Sequence, residues 1–404
     1  MAKALEGLKI ADFTWVITGP LSTKWLANLG ATVVRVESNK RLGLFRTYVP
    51  MAGGVVGVNR CGTFAEFNDS KYGMLLNLEH PQSRDVMQRL ISWADVVVEN
   101  FRPGVLDKLG WSYEELRKIK PEIIMARASM YGQTGSLATV TGFGTILQAH
   151  AGFTNLVGWP DRPPTGYSIA YTDTPSASYL AIGILAALDY RRRTGQGTYI
   201  DLSQFEAGLS LIAPCLMDYT VNGRITRALG NRHSYASPHG AFPCKGDDRW
   251  CVITVFSDAQ WQALCQVMGE PVWSKELRFS TFLERKRSED ELEKLIAAWT
   301  VNYTPEEIMK VLQDKEIPAG IVREAYDLLD EDDQVEYRKS FKPLNHVEIG
   351  PFRYQLPPFI LSETPPEIEK PFPCLGEHTE FVCREFLGMP DEEFVEFLAQ
   401  GVFE

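Results

Sequence analysis

The sequence predicts an α/β protein of more than one domain, and three observations lead there. Through the first 200 residues, short apolar runs rich in β-branched residues alternate with helix-patterned stretches. Those runs close on polar loops, an arrangement that places ligands at the C-terminal ends of strands. At 404 residues the chain exceeds what one ordinary core organises, and its pattern changes after Leu202. The expected division is a large domain over 1–205, a linker helix over 206–224, a smaller α/β domain over 225–325 and a return segment over 326–404.

The elements follow in order. Residues 8–13 are the first expected strand, 20–29 a helix stopped by Gly30, and 31–37 (ATVVRVE) the second strand. Such a βαβ unit is normally parallel and right-handed. It invites a dinucleotide site with Glu37 on the ribose, but the loop TWVITGP lacks the fingerprint GxGxxG, which argues against a nicotinamide. Residues 38–74 are loop-rich and basic, with Lys40, Arg41, Arg46, Arg60 and Lys71. A strand at 73–78, a helix at 81–93 and a strand at 94–99 (ADVVVE) lead to Asn100-Phe101-Arg102-Pro103-Gly104. A strand at 123–128 opens into Ser129-Met130-Tyr131-Gly132. Each basic residue alone is an ordinary solvated charge; several at adjacent strand ends suit an anionic ligand.

The most informative stretch is 167–202. Thr174 followed by Pro175 suits an N-cap and the first helical position, where a missing N–H costs nothing. Residues 179–188 are apolar nearly all round, which predicts burial. Arg191, Arg192 and Arg193 suit the negative end of the helix dipole, Gly195 and Gly197 end the helix, and 198–202 reads as a strand. Asp173 stands just ahead of this start. If Thr174 caps the helix, Asp173 is free to be an anion near a positive helix end; the plainer alternative is that Asp173 is itself the cap or a surface turn acid. Beyond Leu202 come an apolar helix (206–221), a Gly- and His-rich connector (222–243) and a hairpin (242–255) turning at Gly246-Asp247-Asp248. A mainly helical stretch (258–330), a Pro-rich linker (330–370) and two amphipathic helices after Gly376 complete the chain.

Composition excludes several classes. A net charge of −11 argues against nucleic acid as a partner but leaves room for anionic ligands held by a local cluster. No apolar run reaches the ~18 residues of a membrane span, and MAKALEGLKIADF has no secretory pattern. Seven cysteines without a CxxC pair, and six scattered histidines, fit a reduced cytoplasmic protein with no metal site. Serine nucleophile elbows and Walker loops are also missing. What remains is a carboxylate beside a helix N-terminus. Against a thioester, a carboxylate forms a mixed anhydride and expels a thiolate, provided N–H donors meet the developing oxyanion.

Several segments carry a family resemblance: LEGLKIADFTWVITGP, LGATVVRVE, FNDSKYGMLLNL, ADVVVENFRPGVLDKLGW, the helix ending RRRTGQGTYIDL, the stretch from GNRH to CKGDDRW, and LGEHTEFVCREFLG. With these the chain resembles the class III coenzyme A transferases (CaiB/BaiF-like), which include formyl-CoA and carnitine CoA transferases, over nearly its whole length. The resemblance implies an open Rossmann-like sheet in a large domain completed by the C-terminal tail, a smaller α/β domain and an interlocked homodimer. It implies no tightly bound cofactor, with coenzyme A and acyl-CoA as substrates. It places the nucleophile at Asp173 and the CoA contacts at Val16, Ile17, Ser70, Lys71, Asn100, Phe101, Arg102 and Lys108. Formyl-CoA transferases carry glutamine where this chain has Ile17, arginine where it has Ser38, and a glycine-rich loop not found here. A larger, less polar acid is therefore expected, in a pocket drawing on Trp15, Tyr48, Tyr131, Phe143 and Tyr167. The nearest branch acts on aromatic or branched acids, such as the succinyl-CoA:benzylsuccinate transferases, where a heteromer with a homologous subunit is an alternative. Two further alternatives stay open: an α-methylacyl-CoA racemase, whose histidine falls at Phe143, and a CoA-binding non-catalytic subunit.

Overall fold

The computed structural model describes residues 3–404. The chain forms two compact units: residues up to Thr154 with Gly166–Ile225 and Val335–Glu404, and Asn155–Thr165 with Thr226–Gln334.

The larger unit is built on a six-stranded parallel sheet. Its strands are β1 (Lys9–Asp12), β2 (Thr32–Glu37), β3 (Tyr72–Leu75), β4 (Val96–Glu99), β5 (Ile124–Ser129) and β6 (Tyr199–Ser203), in the order β3-β2-β1-β4-β5-β6. The order reverses beside β1, so a crevice opens between the C-terminal ends of β1 and β4, where doubly wound sheets take their ligands. The helices are α1 (Thr18–Asn28), α2 (Gly62–Asn68), α3 (Ser83–Trp93), α4 (Val105–Lys108), α5 (Tyr113–Ile119), α6 (Gly144–His150), the first half of a single turn α7 (Phe153–Leu156), α8 (Asp173–Thr194), α9 (Gln204–Leu211) and α10 (Ala213–Asn222).

Strand alternation explains the two cores. Val96, Val98, Ile124 and Ala126 point to one face, where Leu180, Ile184 and Ala187 of α8 and Leu26 of α1 cover them. Val97 and Met125 point to the other, beneath Leu90 and Ile91 of α3 and Phe394, Phe397 and Phe403 of the tail. The tail is tied in by backbone bonds from Asn77 N–H to Val402 O (2.9 Å) and from His378 N–H to Gly73 O (2.8 Å).

Three local expectations are corrected. The long helix starts at Asp173, with Thr172 rather than Thr174 at the cap position and no side chain capping it. It is buried along one face only: Tyr179, Ile182 and Leu185 on its outer face are exposed. The Pro-rich linker contains an antiparallel hairpin, β10 (Phe341–His346) with β11 (Gly350–Gln355), after the strands of the smaller unit. Gly195 ends α8 in the left-handed conformation (φ 74°), as a C-terminal glycine should. Gly197 has a different reason: a Cβ there would lie 2.1 Å from the carbonyl oxygen of Ile123.

The smaller unit holds the antiparallel sheet β7 (His239–Pro243), β8 (Trp250–Thr254), β9 (Ala319–Val322), in that order. Trp261, Leu264, Phe279, Leu292, Ile296 and Leu312 form its core. Among the described residues no helix is long and apolar enough to cross a membrane, and no cluster of His, Cys, Asp or Glu is placed to hold a metal.

Candidate active site

The larger unit contains a cavity of about 800 Å³ at the strand C-termini. Each wall begins where a strand ends. After β1 come Trp15, Val16 and Ile17; after β2, Ser38, Lys40 and Arg41; after β4, Asn100, Phe101 and Arg102; at β5, Ser129 and Met130. The segment 140–144 and Asp173 complete it.

Asp173 is the chemically distinct residue. It is only 6% exposed, yet among the described residues nothing hydrogen-bonds or pairs with its carboxylate. Burial alone pushes its pKa up to about 7. As the first residue of a 22-residue helix it lies at the positive end of the dipole, which offsets part of that burial cost. The Thr18 hydroxyl donates to the Asp173 carbonyl oxygen (3.2 Å), joining the start of α1 to the start of α8. Gly144 faces the carboxylate: a Cβ there would stand 3.0 Å from both of its oxygens. Neither Thr18 nor Gly144 was anticipated. Only the helix-start pattern of the first could have flagged it.

The loop between β1 and α1 is tightly held. The Asp12 carboxylate accepts from Thr14 N–H (2.9 Å), from the Thr23 hydroxyl (2.7 Å) and from Lys71 Nζ (3.1 Å). Burial by itself would raise the Asp12 pKa, but Lys71, Arg35 and the two threonines outweigh it and hold it below the usual range. Arg35 donates to Thr14 O (2.8 Å). Trp15 packs edge-on against Phe101, with centroids 5.8 Å apart. Val16 sits at φ 67°, a left-handed conformation that a β-branched residue adopts only under constraint.

The structure brings together Trp15, Val16, Ile17, Asn100, Phe101, Arg102, Phe143 and Asp173 on this one cavity. The remaining expected residues are elsewhere, each for a physical reason. Lys71 is fully buried, spent on Asp12, on Pro20 O (2.8 Å) and on Asn68 Oδ1 (3.0 Å). Ser70 is buried and accepts from Glu369 N–H (3.1 Å). Lys108 ends α4 in solvent. Tyr48 is half exposed against Phe45. The Tyr131 hydroxyl meets Nδ1 of His150, and Tyr167 stacks on Tyr171. The cations that do line the cavity are Arg102, Lys40 and Arg41; Lys40 is exposed and paired with Glu404 at 2.8 Å. A charged trio supports the Asn100 loop: buried Arg127 pairs with buried Glu99 (2.8 Å) and with the exposed Asp107 (2.6 Å), and Glu99 accepts the Phe101 N–H (2.7 Å). Burial, opposed by Arg127, pushes the Glu99 pKa up to about 7.

Residues 5–379 match the family described as CoA-transferase family III. The succinyl-CoA–D-citramalate CoA-transferase of Chloroflexus aurantiacus is 31% identical over 400 residues, covering 99% of this chain and 98% of the relative. The acetyl-CoA:oxalate CoA-transferase of Acetobacter aceti is 34% identical over 316 residues, covering 78% and 79%. The crystal structure of a CAIB/BAIF family protein from Brucella suis is similar with a TM-score of 0.87 at 28% identity, covering 96% of this chain and all of that one.

Proposed function

The chain belongs to CoA-transferase family III, and from that premise we propose that it moves CoA from an acyl-CoA donor to a carboxylic acid through covalent intermediates on Asp173. A single observation carries this reading: an unpaired, nine-tenths-buried carboxylate at a helix start, on the wall of a cavity. An Asp173 oxygen attacks the thioester carbonyl carbon, the C–S bond of the tetrahedral adduct breaks, and CoA leaves as thiolate, leaving a mixed anhydride on Asp173. The thiolate attacks the Asp173 carboxyl carbon and releases the donor as a free acid, leaving an aspartyl-CoA thioester. The acceptor carboxylate displaces the thiolate to form a second anhydride. Attack of the thiolate on the acceptor acyl carbon then releases the new acyl-CoA and restores Asp173. Each step exchanges one leaving group for one nucleophile, so no redox partner enters.

Val16, Ile17, Phe101 and Arg102 are the proposed CoA contacts. Arg102 offers a charge-assisted bond to a phosphate, and Lys40 and Arg41 extend the positive wall. Trp15, Met130, Val140 and Phe143 give the cavity an apolar portion among its polar walls, which supports an acceptor with an aryl or branched body. The test is transfer from succinyl-CoA and from acetyl-CoA to a panel of acids, short dicarboxylic acids included, with products read by mass spectrometry. Transfer to short dicarboxylic acids alone refutes the acceptor class; no transfer to any acid refutes the reading for the isolated chain.

The exposed apolar residues Tyr179, Ile182 and Leu185 along one face of α8 support a second copy of the chain as their cover. Light scattering of the purified protein reads this directly, and a monomer at micromolar concentration counts against it. Seven unpaired cysteines support a reducing compartment such as the cytoplasm.

A further inference from the structure

We propose that Asn100 is a positioning residue: its side chain clamps the Trp15 peptide and thereby fixes the strained loop that faces Asp173. Asn100 lines the cavity, but its amide group is already committed. Trp15 N–H donates to Asn100 Oδ1 at 2.7 Å, and Asn100 Nδ2 donates to Trp15 O at 2.7 Å. One primary amide therefore satisfies both polar groups of one residue's backbone, as a neighbouring strand would. Asp12 and Arg35 do the same for Thr14, through bonds of 2.9 and 2.8 Å. Four consecutive backbone groups are thus held by three side chains from β1, β2 and the end of β4. The chain immediately after them, at Val16, takes φ 67°.

The consequence reaches the reaction. Val16 and Ile17 (φ −119°, ψ −64°) alternate between left- and right-handed conformations, a pairing that turns successive N–H groups to one side. Among the described residues none of the amides of Val16, Ile17 or Thr18 has a hydrogen-bond partner. All three residues line the cavity that holds Asp173. Held in place, these amides are donors for the oxyanion that forms when Asp173 attacks a thioester. A relaxed loop would lose them. Asn100 suits this task because aspartate lacks the donor that Trp15 O needs and alanine lacks both groups. Its own backbone is steadied next door, where Glu99 takes the Phe101 N–H.

This inference rests on the covalent reading of Asp173 but is separable from it. The experiment compares full-length wild type with Asn100→Ala, Asn100→Asp, Val16→Gly and Asn100→Ala/Val16→Gly. It reads three quantities: CoA affinity by calorimetry, single-turnover formation of the Asp173 hydroxamate from succinyl-CoA and hydroxylamine, and melting temperature. Loss of one preorganised oxyanion donor typically costs about 10²–10³ in rate. The expected result is a hydroxamate rate lowered by about 10² in Asn100→Ala, with CoA affinity falling by no more than about tenfold, since Phe101 and Arg102 still hold CoA when the Val16–Ile17 loop relaxes. Asn100→Asp, close in size, should fall in rate to a similar degree. Glycine at 16 should change the melting temperature differently in the two backgrounds, by about 2 °C or more, because freeing the clamp already relaxes the strain.

A CoA affinity that falls as far as the rate overturns the inference, since Asn100 would then be a ligand contact. Equal glycine effects in both backgrounds also overturn it. If Asn100→Ala does not fold, Asn100→Asp and Asn100→Asp/Val16→Gly, set against wild type and Val16→Gly, carry the same comparison. If wild type itself forms no hydroxamate, the covalent reading fails, and the melting-temperature comparison still decides whether Asn100 holds the loop.

Discussion

Asp173→Asn should make the protein more stable, and should do so in a pH-dependent way. An unfolded aspartate ionises near 3.8, whereas folded Asp173 ionises near 7 because burial disfavours its charge. Between those values the folded state binds the extra proton, so this group's stabilising contribution is complete below about pH 4. It is lost as pH rises through about 7. A displacement of that size corresponds to about 4 kcal/mol at full ionisation. Asparagine never ionises, so the strain it relieves at full ionisation is that same amount, about 4 kcal/mol. At about 2 °C per kcal/mol for a chain of this size, the variant should melt on the order of 5–10 °C above wild type at pH 8. The gain should shrink towards zero at pH 4–5. Differential scanning calorimetry of both proteins from pH 4.5 to 8.5 measures it. A pH-independent difference, or a less stable Asn variant at pH 8, refutes the claim that an unpaired buried charge is being held. The same pKa predicts that the acylation rate of wild type rises with pH and levels off above about 8, since only the carboxylate attacks.

Other perturbations test the supporting structure. Lys71→Met leaves the Asp12 carboxylate buried without its ion pair and should cost about 3–5 kcal/mol in urea unfolding; a loss below 1 kcal/mol would mean Lys71 is not structural. Gly197→Ala forces a Cβ against the Ile123 carbonyl and should destabilise by more than about 3 kcal/mol, whereas a neutral outcome would contradict the close approach of α8's end to β5. Arg102→Ala removes a cation from the cavity wall and should weaken CoA binding by about 1.5–3 kcal/mol, read by calorimetry; unchanged affinity would remove Arg102 from the phosphate site.

The central sheet was legible because strands such as β2 and β4 are short, continuous and β-branched, as ADVVVE is, and are buried on both faces. The helix start was not. Thr174-Pro175 imitates a cap and first position, but any of the first turn's N–H groups is unpaired, so Pro175 tolerates a start two residues earlier. That shift moves Asp173 from ahead of the helix into its first turn. The surroundings of Lys71 were not legible for a different reason: it entered as a CoA contact through the resemblance, and the carboxylate it pairs with lies 59 residues away, on β1. Asn100 entered as a CoA contact through the resemblance, and its clamp on Trp15 was not legible because the partner is backbone, which carries no residue signature. The β10–β11 hairpin hid behind Pro343 and Pro351, which an isolated two-stranded ribbon accommodates and a central strand would not.

The most direct test of the account is a trap of the covalent intermediate. Purified protein is incubated with succinyl-CoA, quenched with hydroxylamine, digested and mapped by mass spectrometry. The account predicts a hydroxamate on the peptide containing Asp173, dependent on the acyl-CoA and missing from Asp173→Ala. A peptide unmodified with every donor tried, in protein that still binds CoA, would contradict it.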